Sequence, residues 1–172
     1  MHNLKFVLPL IVLCNLAMAQ LKPLNLPLSA PNVEDVLLGK DGLLWVGTTE
    51  GLNIFYDDEN HVFYSKIEDS LSLLNSNIKH LFTTQNNQLL ALTRGGLNVY
   101  NKKGFSFRRI PMESSPTGFW ESPVGFIWIS TAQSGIYVLD KSLEIKEHFV
   151  FDTINPLSIS TSRFEKFNPI QL

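Results

Sequence analysis

Residues 41–55 read DGLLWVGTTEGLNIF, and this pattern returns twice further along the chain. The second copy, residues 86–100, aligns with the first without a gap, whereas the third copy, residues 125–138, has one extra residue before its glycine. Equivalent positions are separated by 45 and then by 38 residues. Since one blade of a β-propeller takes roughly 40 to 50 residues, the spacing predicts one blade for each copy.

Each copy predicts a β-hairpin with a further strand on either side. In the first copy, two runs rich in β-branched and aromatic residues, 43–48 and 52–55, flank a turn. Gly51, Gly96 and Gly135 fall at this turn, where we expect a positive φ angle. Apolar segments before each hairpin (33–37, 78–82 and 119–120) and after it (62–67, 105–110 and 145–151) complete four strands per copy.

The predicted fold is therefore all-β, a β-propeller of four-stranded blades with about three blades and a stub. The blades span about 32–75, 76–115 and 116–157, and a fourth begins at 158–172 after an N-terminal lead-in at 20–31. A closed ring needs 4 to 8 blades, so we expect a fragment of a larger ring, or self-association that completes one.

The large apolar residues of the copies are expected to pack between neighbouring blades. Trp45, Trp128, Leu52 and Leu97 are predicted to lie on blade faces, because a propeller buries its core between stacked sheets. Gly47 is predicted to allow a close approach between strands near the axis of the ring.

The first nineteen residues predict a secretory signal peptide. Lys5 precedes an apolar run, 6–13, and the segment ends in the small-x-small pattern of residues 17–19. A membrane anchor and a lipid-modified Cys14 are the alternatives. Cleavage after residue 19 removes the single cysteine, which excludes disulfide and thiolate chemistry from the mature chain. We therefore expect an exported protein in the periplasm or on the extracytoplasmic face of a bacterial membrane.

Residues 41–52 resemble the two-component regulator propeller repeat. The segment 69–78 is similar to the serine-leucine-serine connector that enters the next blade in that family, and 155–160 resembles a second connector. The later copies depart from the pattern, since both lack the aspartate-glycine pair. The resemblance implies the extracytoplasmic sensor propeller of bacterial hybrid histidine kinases, which commonly detects oligosaccharides. A kinase module is not among these residues.

The remaining composition favours a binding protein over an enzyme. A net charge of −2 without a basic cluster argues against nucleic acid as a partner. His61, His80 and His148 lack metal-ligand spacing, and the acidic run 57–60 matches no calcium loop, so we interpret it as a solvated turn. We predict no catalytic residue, metal or cofactor. A protein-interaction scaffold and a polysaccharide hydrolase or lyase are the alternatives to a ligand sensor.

The candidate ligand-binding residues are Glu50, Arg94 and Gln133, at equivalent places in the three hairpin turns. Different polar groups at equivalent positions suit a sugar, whose hydroxyls both donate and accept hydrogen bonds. An oligosaccharide or another small ligand is the expected partner, together with the remaining blades of a ring.

Overall fold

The structure is a computed structural model that describes residues 26–56 and 59–164. The predicted signal peptide at 1–19 and the end of the predicted fourth-blade stub lie outside these residues. The described part of the chain contains no helix that is long and apolar enough to cross a membrane.

Twelve strands form three four-stranded antiparallel sheets, each connected in sequence order. Blade one comprises β1 (Val33–Leu38), β2 (Leu44–Thr48), β3 (Leu52–Tyr56) and β4 (Glu59–Phe63). Blade two comprises β5 (Ile78–Thr83), β6 (Leu89–Thr93), β7 (Gly96–Asn101) and β8 (Ser106–Pro111). Blade three comprises β9 (Pro116–Glu121), β10 (Ile127–Thr131), β11 (Ile136–Leu139) and β12 (Ile145–Phe149).

The first strands of the blades lie side by side, since β1 contacts β5 and β5 contacts β9. Within the described residues the three sheets form an open arc and do not close a ring. The predicted all-β partial propeller of four-stranded blades is therefore confirmed.

The predicted position of one strand is wrong. The apolar pattern predicted a strand at 62–67 after a solvated turn at 57–60, whereas β4 begins at Glu59 and ends at Phe63. Tyr56 pairs with Glu59 and Phe55 with Asn60, so the acidic run supplies the first residues of the strand. An outermost strand tolerates polar residues because one of its edges faces water.

The predicted positive φ is confirmed for Gly96 (135°) and Gly135 (76°) and is wrong for Gly51. A side chain at position 51 would instead be too close to the lead-in segment, because a Cβ there would lie 2.9 Å from the Ser29 hydroxyl oxygen. The lead-in residue Ser29 crosses the face of blade one at this point, where its amide donates to Asn53 Oδ1 at 2.9 Å.

A second set of left-handed residues forms the turn between the first two strands of every blade. Gly42, Asn87 and Gly125 occupy the same position and have φ angles of 81°, 60° and 83°. Asparagine adopts this conformation more readily than most residues that carry a Cβ. The second copy therefore keeps the turn although it lacks the aspartate-glycine pair.

The hydrophobic core lies between the blades, as predicted for Trp45, Leu52 and Leu97. The first cluster joins blade one to blade two, and the Trp45 and Tyr100 ring centroids are 4.8 Å apart. The second cluster joins Leu97 and other residues of blade two to blade three. Trp128 lies on the opposite face of blade three, where it is half-buried and stacks on Phe149.

Gly47 lies at a close approach between blades one and two, which agrees with its predicted role. A Cβ at Gly47 would lie 2.5 Å from Cγ2 and 2.9 Å from Cβ of Ile78, the first residue of β5. Ile78 is fully buried and β-branched, so it has little freedom to move away.

We predict that Gly47→Ala lowers the free energy of unfolding by about 1–3 kcal/mol, because the added methyl overpacks the interface with Ile78. Chemical denaturation of the chain measures this change. Gly95→Ala is the matched control, since its Cβ would meet Leu74 at an ordinary 3.4 Å. The Gly47→Ala/Ile78→Ala double variant should lose less stability than the sum of the single variants, and strict additivity would contradict the steric explanation.

Candidate functional site

The turns that carry the predicted ligand residues are each closed by a hydrogen bond from a threonine hydroxyl. Thr48 Oγ1 donates to Gly51 O at 3.0 Å across the first turn, and Thr93 and Thr131 bond their own turn glycines in the same way. All three threonines are fully buried. The turns therefore share one backbone scaffold, on which the exposed positions are free to vary.

Segments that lead into each blade pack beside these turns, at what we name the connector end of the blades. Arg94 N donates to Asn77 O at 3.2 Å, and Ala132 N donates to Ser115 O at 2.8 Å. Thr49 makes the same contact with Asn32 in blade one.

Glu50, Arg94 and Gln133 lie at the connector end with exposed side chains, one on each blade. Hydroxyl groups hold the backbone amides of two of them, since Glu50 N donates to Thr48 Oγ1 at 3.1 Å and Gln133 N donates to Ser114 Oγ at 3.0 Å. None of the three lines the clefts described below. Their role in ligand binding stays a prediction.

Two clefts open between neighbouring blades at the end opposite the connectors. One, of about 420 Å³, lies between blades one and two and includes Trp45 and Gln88. The other, of about 310 Å³, lies between blades two and three and includes Gln88 and Arg108.

The largest of the described clefts, which we name the outer cleft, has a volume of about 600 Å³. It lies between blades one and two at this same end, on the side of the outer strands. Its lining combines aromatic rings with charged groups: Asp41, Leu43, Ile54, Tyr56, Glu59, Asn60, His61, Tyr100, Lys102 and Phe105.

The corresponding place between blades two and three is spanned by an arginine. Arg108 of β8 donates to Ser142 O at 3.0 Å and to Glu144 Oε1 at 3.1 Å, which ties blade two to blade three. The strand register places His61 of β4 at the position of Arg108. His61 makes edge contacts with Phe63 and Phe105, with centroids 4.6 and 6.2 Å apart. The shorter imidazole leaves the outer cleft open.

Two exposed aromatic side chains stand at the outer cleft. Tyr56 ends β3 and is 58% exposed, and Phe105 precedes β8 and is 61% exposed. Phe105 has a φ of 46°, a conformation that is costly for a bulky residue. Leu143 has the same type of backbone (φ 61°) but buries its side chain in the second core cluster, to 7% exposure. Phe105 therefore combines a strained backbone with a ring that faces solvent.

Sequence reasoning missed the outer cleft. The sequence pattern places Phe105 at the start of a predicted strand, 105–110, and Asp41 within the repeat. The outer cleft is indicated by a difference between repeats, since blade one has His61 at the position where blade two has Arg108. This equivalence follows from the strand register of β4 and β8.

An ion pair crosses the outer cleft from blade two to blade one. Lys102 Nζ lies 2.9 Å from Asp41 Oδ2, and this hydrogen bond lowers the pKa of the Asp41 carboxyl below its ordinary value. Burial, and then the charge of Asp41, raises the pKa of the Tyr100 hydroxyl. The cleft thus offers an ionised acceptor, an ammonium donor and a protonated phenol beside aromatic faces. No group of three metal-ligating side chains occurs among the described residues.

We predict that Lys102→Ala lowers stability by roughly 0.2–1 kcal/mol near neutral pH, since the ion pair is solvent-exposed. A depressed carboxyl pKa contributes stability above the ordinary value of 3.8 and loses it as the pH falls through the folded pKa. The difference in the free energy of unfolding between the unchanged chain and Lys102→Ala should therefore vanish at about pH 2.

Urea denaturation at both pH values measures this difference, and NMR titration should show the Asp41 pKa rising in the variant. Lys103→Ala, a change at the neighbouring lysine, is the control and should show no such pH dependence. An unchanged Asp41 pKa in Lys102→Ala would contradict the assignment.

Neither a family model nor a curated protein sequence matches the chain. Solved structures do match. The extracellular domain of the hybrid two component system BT3049 from B. thetaiotaomicron is similar with a TM-score of 0.67 and 22% identity, over 79% of this chain and 20% of that one. The extracellular domain of the one component system BT4673 from the same organism gives a TM-score of 0.66 and 21% identity, over 80% and 21%.

Virginiamycin B lyase from Staphylococcus aureus is also similar, with a TM-score of 0.51 and 15% identity, over 67% of this chain and 40% of the lyase. The chain thus spans about a fifth of the length of the BT3049 and BT4673 extracellular domains. At these identities the likeness concerns the fold. The chain has a propeller fold similar to that of extracellular domains from hybrid two component systems, which agrees with its resemblance to the two-component regulator propeller repeat.

Proposed function

We propose that this chain is a non-catalytic, ligand-sensing propeller segment of an extracytoplasmic two-component sensor, and that its ligand is an oligosaccharide. The likeness in fold to the extracellular domains of the hybrid two component systems BT3049 and BT4673 supports the sensing role and an extracytoplasmic location. The repeat pattern of residues 41–52 supports the same assignment.

The outer cleft is the single observation that carries the choice of ligand. Its volume of about 600 Å³ lies within the range of small-molecule sites. Tyr56 and Phe105 present apolar ring faces, which suit the C–H face of a pyranose. The paired Asp41 and Lys102 supply acceptors and donors for hydroxyl groups while largely cancelling each other's charge. This combination favours a neutral polyhydroxylated ligand.

We assign the carboxylates in the outer cleft to binding, with hydrolysis as the alternative that the test below distinguishes. Asp41 and Glu59 both line it, and paired carboxylates are the hallmark of glycosidases. The hydrogen bond from Lys102 lowers the pKa of Asp41, so Asp41 is not suited to be the protonated acid of such a pair. Asp41 is therefore suited to accept a hydrogen bond from a sugar hydroxyl.

The test is thermal unfolding of residues 20–172 in the presence of a panel of neutral oligosaccharides. A ligand that binds the folded state should raise Tm in proportion to the logarithm of its concentration. Tyr56→Ala and Phe105→Ala should each abolish most of the shift, because each removes an aromatic ring and with it apolar contact area for a sugar face. Tyr64→Ala removes an exposed tyrosine outside the outer cleft and should leave the shift intact.

Two results would overturn parts of this proposal. If the combined Glu50→Ala/Arg94→Ala/Gln133→Ala variant loses the shift while the outer-cleft variants keep it, the ligand binds at the connector end. If chromatography detects shortened oligosaccharides after incubation with the protein, and the Asp41→Asn and Glu59→Gln variants stop this, the chain is a hydrolase.

A further inference from the structure

A second cleft, which we name the rim cleft, adjoins the outer cleft. It has a volume of about 310 Å³ and lies between blade one and the start of β8, beside the loop 65–76 that connects blade one to blade two. In blade one, residues 59–61 line the outer cleft and residues 61–64 line the rim cleft. At roughly 3.3 Å per residue, this stretch is about 16 Å long. The two clefts therefore follow one another along β4.

Two rings stand at the boundary between the clefts. His61 of blade one and Phe105 of blade two line both of them. The two ring centroids are 6.2 Å apart at an interplanar angle of 74°, which is an edge contact across the interface. Phe105 is nevertheless 61% exposed. A chain of sugar units that lies across this ring would therefore reach both clefts.

The loop that forms one wall of the rim cleft is held in place by hydrogen bonds from β8. Arg109 donates hydrogen bonds to five oxygens within residues 66–73, at distances of 2.6–3.3 Å. Phe107 N donates to Leu71 O at 2.7 Å. A wall that is already fixed needs little further ordering when a ligand binds, and this favours affinity.

The rim cleft offers the same kinds of contact as the outer cleft. Tyr64 and Leu71 line it and are 44% and 59% exposed, so they present apolar surface. Lys66, Asp69 and Ser106 add an ammonium, a carboxylate and a hydroxyl group. Both signs of charge occur together here, as they do in the outer cleft. This combination again suits a neutral polyhydroxylated ligand.

The rim cleft depends on the length of the connection between blades one and two. Strand β4 ends at Phe63 and β5 begins at Ile78, whereas β8 ends at Pro111 and β9 begins at Pro116. The short connector 112–115 cannot supply a wall like the one that residues 65–76 provide. Like the outer cleft, the rim cleft therefore belongs to the interface between blades one and two.

We propose that the outer cleft and the rim cleft are two subsites of one groove, which binds a linear neutral oligosaccharide across the ring of Phe105. This inference rests on the proposed function, because it takes the ligand of the outer cleft to be an oligosaccharide. A disaccharide occupies the outer cleft alone, whereas a longer chain gains the contacts of Tyr64 and Leu71. The groove thus selects its ligand by chain length.

Binding as a function of chain length tests the proposal. Malto-, cello- and xylo-oligosaccharides, from the disaccharide to the hexasaccharide, are titrated into the protein by isothermal titration calorimetry. In a series that binds, the Kd should fall by at least about tenfold from the disaccharide to the longest chain, because the second subsite adds apolar contact area.

Variants of the rim cleft should affect long chains only. Tyr64→Ala/Leu71→Ala should remove most of the gain with chain length and leave the Kd of the disaccharide unchanged. Tyr64→Ala is thus a silent control only for sugars confined to the outer cleft. Phe105→Ala removes the ring that both clefts share, so it should weaken binding at every chain length.

Ile67→Ala is the matched control for the loop. Ile67 is 98% exposed and lines neither cleft, so its replacement should leave every Kd unchanged. If the double variant fails to fold, Tyr64→Ala and Leu71→Ala are measured separately, and each should lose part of the gain.

Two kinds of failure can be told apart. If sugars bind but their Kd does not depend on chain length, or if the folded rim-cleft variants bind the hexasaccharide as tightly as the unchanged protein, the rim cleft is not a subsite. The proposed function survives that result. If no sugar of any length binds, the proposed function is wrong and the two-subsite groove is wrong with it.

Discussion

The packing of each blade against the next is the constraint on which the rest of this structure depends. A twisted four-stranded sheet of about thirty residues has no core of its own, so both of its faces need a neighbour. One recurring position shows the consequence: Trp45 and Leu90 are buried against the following blade, and Trp128 is in the same place on blade three. Gly47 belongs to the same constraint, since its missing side chain leaves room for Ile78.

At the connector end, the three blades share the same turn hydrogen bonds but differ in their exposed side chains. Buried threonines bond the turn glycines in all three blades, and carbonyls of the preceding segments accept the amides that follow those threonines. Because the backbone satisfies its own hydrogen bonds, the exposed side chains at positions 50, 94 and 133 contribute little to the fold. Side chains at such positions can be replaced with little effect on stability. They are therefore suited to ligand recognition, and the same exposure is also typical of ordinary surface residues.

The sequence pattern predicted the blades because hydrophobic periodicity and turn residues act locally and recur in each copy. It failed where the cause was a contact distant in sequence. Gly51 has no positive φ and is small because Ser29 crosses it, which no local pattern reveals. The strand β4 begins inside an acidic run because pairing with Tyr56 and Phe55 outweighs the low strand preference of Glu59 and Asn60.

The candidate site was harder to predict than the fold because it depends on a departure from the repeat. Because the blades repeat, the interfaces between them have similar shapes. One interface differs from another only where a side chain that links two blades is replaced in one of the repeats. Arg108 ties the outer strand of blade two to blade three, whereas His61, at the corresponding place on blade one, lines the outer cleft. Phe105 holds a costly backbone conformation there with its ring exposed, whereas Leu143 offsets the same conformation by burial. In the proposed ligand site, this exposed ring would supply the apolar face that a sugar contacts.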